Sequence, residues 1–144
     1  MAEFQDDPDI LNCEVLLRRL DTKDPNMFVT DSVTGIRRPS SAAFSFQQDG
    51  TSVYRKKKLD DSNLNARDIL LHPEQIVLSL TVTQVRDCNG LGVCDNPWPK
   101  GISDEQHPRN AAHALIVGWY SLSRSDQRKH KQYLAKSCKI VNTQ

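Results

Sequence analysis

Four polar residues in two segments of the chain have side chains that suit the binding of a small anion. Arg38, Ser40 and Ser41 lie in the segment Arg-Pro-Ser-Ser-Ala-Ala-Phe, and His113 precedes a run of apolar residues. An arginine and serine hydroxyls can hold a phosphate or carboxylate, and the small residues that follow let a ligand approach the backbone. A neutral histidine can accept or relay a proton near pH 7. We therefore predict that these four residues line one concavity.

The same residues admit a simpler interpretation. Ser40 or Ser41 can bond to its own backbone in a turn, and His113 can face solvent at the edge of a strand. A proline-rich segment, residues 94–108, is the longest irregular stretch and could cover a site, and Trp98 lies within it. Trp98 is therefore included among the candidate ligand-binding residues.

Cysteine and histidine residues in the second half of the chain resemble zinc-finger spacing at first sight. Cys88 and Cys94 are followed by His107 and His113. Five residues between the cysteines exceed the two to four that one tight turn requires, and Pro108 argues against a helix carrying the histidines. We predict no metal, and no cofactor is predicted because Gly-rich phosphate loops and similar motifs do not occur. Buried, reduced thiols account for the cysteines.

Basic residues cluster in two places, but the balance of charge argues against a polyanionic partner. Arg55 is followed by three lysines, and more basic residues lie between 124 and 136. Nineteen basic and eighteen acidic residues give a net charge of +1. A solvated face explains these residues better than nucleic-acid binding does. The acidic N-terminus and the lack of a long apolar run predict a cytoplasmic protein that does not enter a membrane.

The length of 144 residues suits one domain. We predict a flexible acidic segment at residues 1–9 and a single α+β domain at residues 10–144. The expected architecture is one mixed or antiparallel sheet of five to six strands with a C-terminal helix packed on one face.

The elements follow from periodicity and turn signals. Apolar residues alternate over Ile76 to Val85, and a second apolar run covers Ala114 to Trp119, so both are predicted as central strands. The remaining predictions are a hairpin over residues 27–38, a turn at Asp49-Gly50, a helix from about Asn63 to Leu71, a helix over Arg124–Ser137 and a short strand at 139–141. The side chains expected in the core are Leu78, Leu80, Val82, Leu115, Val117 and Leu134.

Four segments occur in a fixed order along the chain: Leu16-Leu17-Arg18-Arg19, the Arg38 to Phe44 segment, Ser52-Val53 and Asn110 to Gly118. Together they resemble a group of short bacterial proteins for which no activity is known. The likeness covers roughly residues 14–141, although Ala111 stands where that group has proline. It implies a bacterial origin and draws attention to Arg18 and Arg19 in addition to the candidate residues above.

Two function hypotheses are compatible with these observations. The first is a binding or accessory module that acts through a protein partner or a small anionic ligand and needs no catalytic residues. The alternative is an enzyme acting on a nucleotide or NAD-like anion. ADP-ribosyl transferases are loosely similar in placing an arginine on a first strand and serines on a later one, but they also carry a glutamate where this chain offers His113 at best.

Overall fold

Among the described residues, six strands form the main sheet, and all neighbouring strands are antiparallel. The computed structural model describes residues 5–97 and 108–143. The strands of the sheet are β1 (Val15–Asp21), β4 (Thr51–Arg55), β5 (Gln75–Thr81), β6 (Gly92–Asp95), β7 (His113–Val117) and β8 (Lys139–Val141), and a separate hairpin pairs β2 (Phe28–Thr30) with β3 (Arg37–Pro39). The strand order is β6-β7-β4-β1-β5-β8, which confirms the predicted α+β class.

Within residues 5–97 and 108–143, three helices and several 3₁₀ turns connect the strands. The helices are α1 (Lys56–Asp61), α2 (Val82–Asp87) and α3 (Arg124–Ser137). Helix α3 begins at the N-cap Ser123, whose hydroxyl accepts a hydrogen bond from the Asp126 backbone N–H. Among the described residues, no helix is long and apolar enough to span a membrane.

Each face of the sheet packs against a different helix. On one face, here called the α3 face, Leu16, Val53 and Ile116 pack with Leu134 of α3. The other, the α1 face, holds a second cluster whose members are Leu17, Tyr54, Leu59, Ile69, Val77 and Ala112. The six side chains predicted for the core are all buried. The sheet is therefore covered on both sides, and strand alternation decides which side each polar residue reaches.

Several predicted elements need correction. The strand expected to run to Val85 ends at Thr81, where a capping box with Gln84 begins α2. The central strands are β1 and β4, whereas β5 and β7 each lie one position from an edge. The helix predicted from about Asn63 is a 3₁₀ turn, Ala66–Ile69.

The segments around these elements differ from prediction as well. Helix α1 and strand β6 were not predicted, and the stretch before the Asp49-Gly50 turn includes a 3₁₀ turn, Ser41–Phe44. The expected hairpin forms as β2 and β3. In the described part of residues 1–9, Asp7 N–H donates to the Val93 carbonyl at 2.8 Å, and the flexibility of this segment stays a prediction.

Candidate functional site

Arg38, Ser40 and Ser41 line one groove between the β2–β3 hairpin and α3. The groove has a volume of about 310 Å³, and its lining is completed by Val29, Gln132, Ala135 and Lys136. This volume suits a small ligand. The three residues that the sequence analysis groups together are therefore also close in space, on the α3 side of the sheet.

The polar groups of this groove differ in what they can still bind. Ser40 Oγ donates to the Asn26 carbonyl at 2.5 Å, so its hydroxyl proton is not available to a ligand. Arg38 and Lys136 form no ion pair within 4 Å among the described residues. The positive charge of Arg38 reaches Asp31, whose pKa is lowered mainly by the Thr34 and Val33 backbone N–H groups and further by Arg38. Two cations without an ion pair among the described residues therefore line the groove, and Asp31 is near one of them, Arg38.

His113 does not belong to this groove. It is the first residue of β7 and pairs with Tyr54 of β4, which places its ring on the α1 face. Ser41 starts the 3₁₀ turn that packs against α3 on the opposite side of the sheet. The prediction of one concavity shared by all four residues is therefore wrong, because strand alternation directs His113 away from α3.

His113 instead contacts Ser52, which the sequence indicates only as part of the resemblance. Its Nε2 lies 3.0 Å from Ser52 Oγ, and its Nδ1 lies 2.8 Å from the Asn96 carbonyl oxygen. Burial lowers the pKa of His113 below its ordinary value of 6.5, and the charge of Arg19 lowers it further, although the Asn96 carbonyl acts in the opposite sense. The imidazole is thus neutral at pH 7 and bonded on both nitrogens.

The surroundings of this pair are aromatic and cationic. The Tyr54 ring meets the His113 ring edge-on, with centroids 5.4 Å apart. Arg19 of β1 lies over Tyr54 at 5.6 Å from the ring centroid and donates to the Ile69 carbonyl. Arg109, buried in the 3₁₀ turn before β7, is near Tyr54 and donates to the Asp68 carbonyl. The α1 face therefore carries positive charge beside the Ser52–His113 pair.

Comparison with protein-family models, curated proteins and solved structures found no match to this chain. The resemblance to short bacterial proteins stays a prediction.

Arg18, the other arginine named in the resemblance, connects two parts of the backbone. Its side chain donates to the Ala43 carbonyl at 2.6 Å and to the Ser52 carbonyl at 2.8 Å. It thereby ties the 3₁₀ turn after the groove to the backbone of β4. Trp98, the fifth candidate ligand-binding residue, lies outside the described residues.

The cysteines are free thiols in separate surroundings. Cys88 packs in the core on the α3 face, whereas Cys94 clusters with Leu115 and Val117. Burial raises the pKa of both thiols to about 11. Within the described ranges, no group of three His, Cys, Asp or Glu side chains could hold a metal ion. His107 lies outside those ranges.

The basic run after β4 is largely paired with carboxylates. Arg55 binds Glu14 and Asp95 at 2.8 Å each, and both Arg55 and Glu14 are buried. Lys56 pairs with Asp60 one helical turn away, and Lys58 lies 3.4 Å from Asp95. These residues hold α1 and β4 in place rather than forming an unneutralised basic face.

Proposed function

We propose that the protein is a binding module whose ligand carries a small anionic group, held in the groove of Arg38 and Lys136. The observation that carries this proposal is the meeting of two cations, without ion-pair partners among the described residues, in one groove of about 310 Å³. The anionic group belongs either to a free small molecule or to an acidic segment of a protein partner. A cytoplasmic location in a bacterium is part of the proposal and rests on the sequence alone.

The groove offers complementary donors to such a group. The planar guanidinium of Arg38 suits two-point hydrogen bonding to phosphate or carboxylate, and Lys136 adds a compact charge. Ser41 and the Gln132 amide contribute neutral donors from opposite walls. Ser40 acts indirectly, because its bond to Asn26 fixes the turn that presents Ser41.

Thermal unfolding with and without anions tests this function. Sodium pyrophosphate should raise the Tm of the wild-type protein above the Tm in sodium chloride of equal ionic strength. A ligand at 100 times its Kd stabilises by about 2.7 kcal/mol, which corresponds to several degrees for a domain of this size. The shift should disappear in the double variant Arg38→Gln/Lys136→Gln.

The matched control is Lys129→Gln, because Lys129 is an exposed lysine of α3 that does not line the groove. This variant should keep the pyrophosphate shift. A parallel titration with hexaglutamate separates the two sources of the anion, since a free metabolite site should prefer pyrophosphate and a partner site the peptide. Equal Tm values in both salts and with the peptide, or a shift that survives the double variant, would refute the proposal.

The enzyme hypothesis is a second proposal, and one arrangement favours it. Arg19, Ser52 and His113 lie on three adjacent strands, β1, β4 and β7, and their side chains share the α1 face. The NAD-like hypothesis is based on the Ser40-Ser41 segment, which lies in the groove on the other side of the sheet, so Ser52 takes the place of that segment in this proposal. Release of nicotinamide from NAD by the wild-type protein, and its loss in Arg19→Gln, is the expected result. No release at any pH from 5 to 9 would remove NAD as the substrate.

A further inference from the structure

The Ser52–His113 pair has the geometry of an activated serine nucleophile. Ser52 pairs with Leu115 and His113 pairs with Tyr54, so the two side chains are diagonal neighbours on one face of β4 and β7. The distance of 3.0 Å between Oγ and Nε2 is within hydrogen-bond reach. A nucleophile bonded to a base is the first requirement for covalent catalysis by serine.

The second nitrogen of the ring determines which atom accepts the serine proton. A carbonyl oxygen can only accept, so the 2.8 Å contact with the Asn96 carbonyl places the hydrogen of the neutral ring on Nδ1. Nε2 then carries the lone pair and accepts from the Ser52 hydroxyl. The Asn96 carbonyl thus performs the orienting part that a carboxylate performs in a serine, histidine and aspartate triad.

The two residues differ in solvent exposure, and nucleophilic catalysis requires the nucleophile to be the accessible one. Ser52 is exposed, whereas His113 is only 1% exposed. A substrate can therefore reach the hydroxyl while the base stays shielded from water. A histidine bonded to serine merely for packing would not require the serine to be the accessible partner.

We propose that Ser52 is a nucleophile for acyl transfer from small carboxylic esters, with His113 as its general base. Ser52 Oγ attacks the carbonyl carbon, and its proton passes to Nε2 of His113. When the C–O bond to the leaving group breaks, the imidazolium returns that proton to the departing alkoxide. A water molecule then attacks the acyl-serine by the same route, which releases the carboxylic acid and restores both residues.

The charged groups near His113 are arginines, and they affect the protonation state of the resting imidazole. Arg19 on β1 and Arg109 before β7 lie beside Tyr54, which itself contacts the His113 ring. The charge of Arg19 adds to burial in lowering the pKa of His113, which keeps the resting imidazole neutral and able to accept a proton, although it also makes the ring a weaker base. This proposal does not depend on the anion groove, which lies on the other side of the sheet.

Labelling with a fluorophosphonate, followed by peptide mass spectrometry, tests the nucleophile directly. The wild-type protein should be labelled at Ser52. Ser125 supplies an internal control, because it is exposed like Ser52 and no histidine bonds to it among the described residues. General-base catalysis contributes roughly 100-fold or more, so His113→Gln should slow labelling at Ser52 by about that factor. Absence of label at Ser52, or equal labelling of Ser52 and Ser125, would overturn the proposal.

Two further measurements keep the test decisive if His113→Gln fails to fold. In the wild-type protein, the labelling rate should rise with pH through a value below 6.5 and then stay level between pH 7 and 8, because His113 must be neutral. A rate that climbs steadily across this range would indicate direct ionisation of the hydroxyl and contradict the proposal.

With 4-nitrophenyl acetate, a burst of 4-nitrophenolate in the wild type and none in Ser52→Ala supports the acyl step, and equal traces contradict it.

Discussion

At the scale of single residues, the buried ion pair of Glu14 and Arg55 has the largest predicted effect on stability. Arg55 donates to both carboxylate oxygens of Glu14, at 2.9 and 2.8 Å. Glu14→Gln should lower the free energy of unfolding by about 2 kcal/mol, because Arg55 loses one buried partner and keeps Asp95. Urea unfolding measures this value. Lys56→Gln, which breaks the exposed pair with Asp60, should change it by less than about 0.5 kcal/mol.

His113 gives stability a dependence on pH that can be assigned to one residue. Since burial lowers its pKa in the folded state, the unfolded chain binds the proton more readily. Its contribution to stability is therefore complete above pH 6.5 and declines as the pH falls below that value. Urea unfolding between pH 5 and 7.5 should show this decline in the wild type and a flatter profile in His113→Gln. Parallel profiles would show that His113 carries no such linkage.

The candidate residues show what residue types alone can predict. Arg38, Ser40 and Ser41 are close in sequence, so their common groove requires only a turn and a neighbouring helix. The partner of His113 is 61 residues away, and which serine it meets depends on the register between β4 and β7. Since a one-residue change of register would move His113 to the other face, the composition around His113 does not identify Ser52.

At the scale of elements, the junction between β5 and α2 depends on a reciprocal cap. Thr81 Oγ1 accepts from the Gln84 backbone N–H at 3.1 Å, and the Gln84 side chain accepts from the Thr81 backbone N–H at 2.9 Å. Thr81→Ala should destabilise the domain by about 1 kcal/mol, whereas Thr81→Ser keeps the hydroxyl and should cost less. Thermal unfolding of the two variants distinguishes them. Equal losses would mean that the methyl group of Thr81, not the cap, matters.

The same junction explains why the strand was predicted too long. Alternating apolar residues continue from Ile76 to Val82, so period two does not end at Thr81. Val82 and Val85 are both buried and are three residues apart, a spacing that also suits a helix. The Thr-x-x-Gln pattern was the available signal for the boundary. Strand β6 had no comparable signal, since its four residues are positioned by pairing with β7 and by the bond from Val93 N–H to Asp6.

At the scale of the whole molecule, the sheet separates the two proposed sites. The groove of Arg38 and Lys136 lies beside α3, whereas Ser52 and His113 lie on the α1 face. Arg18 links the two regions through the backbone carbonyls of Ala43 and Ser52. Because these bonds involve backbone rather than the side chains that would meet ligands, occupation of the groove leaves them in place.

We therefore expect the two regions to act independently. Saturating pyrophosphate should leave the rate of fluorophosphonate labelling at Ser52 within about twofold, and Ser52→Ala should leave the pyrophosphate shift of Tm unchanged. Substitutions at well-separated sites without shared partners usually have additive effects. The labelling rate measured with and without pyrophosphate, in the wild type and in Arg38→Gln/Lys136→Gln, checks this. A tenfold change that the double variant abolishes would correspond to about 1.4 kcal/mol of coupling and would contradict the independence of the two sites.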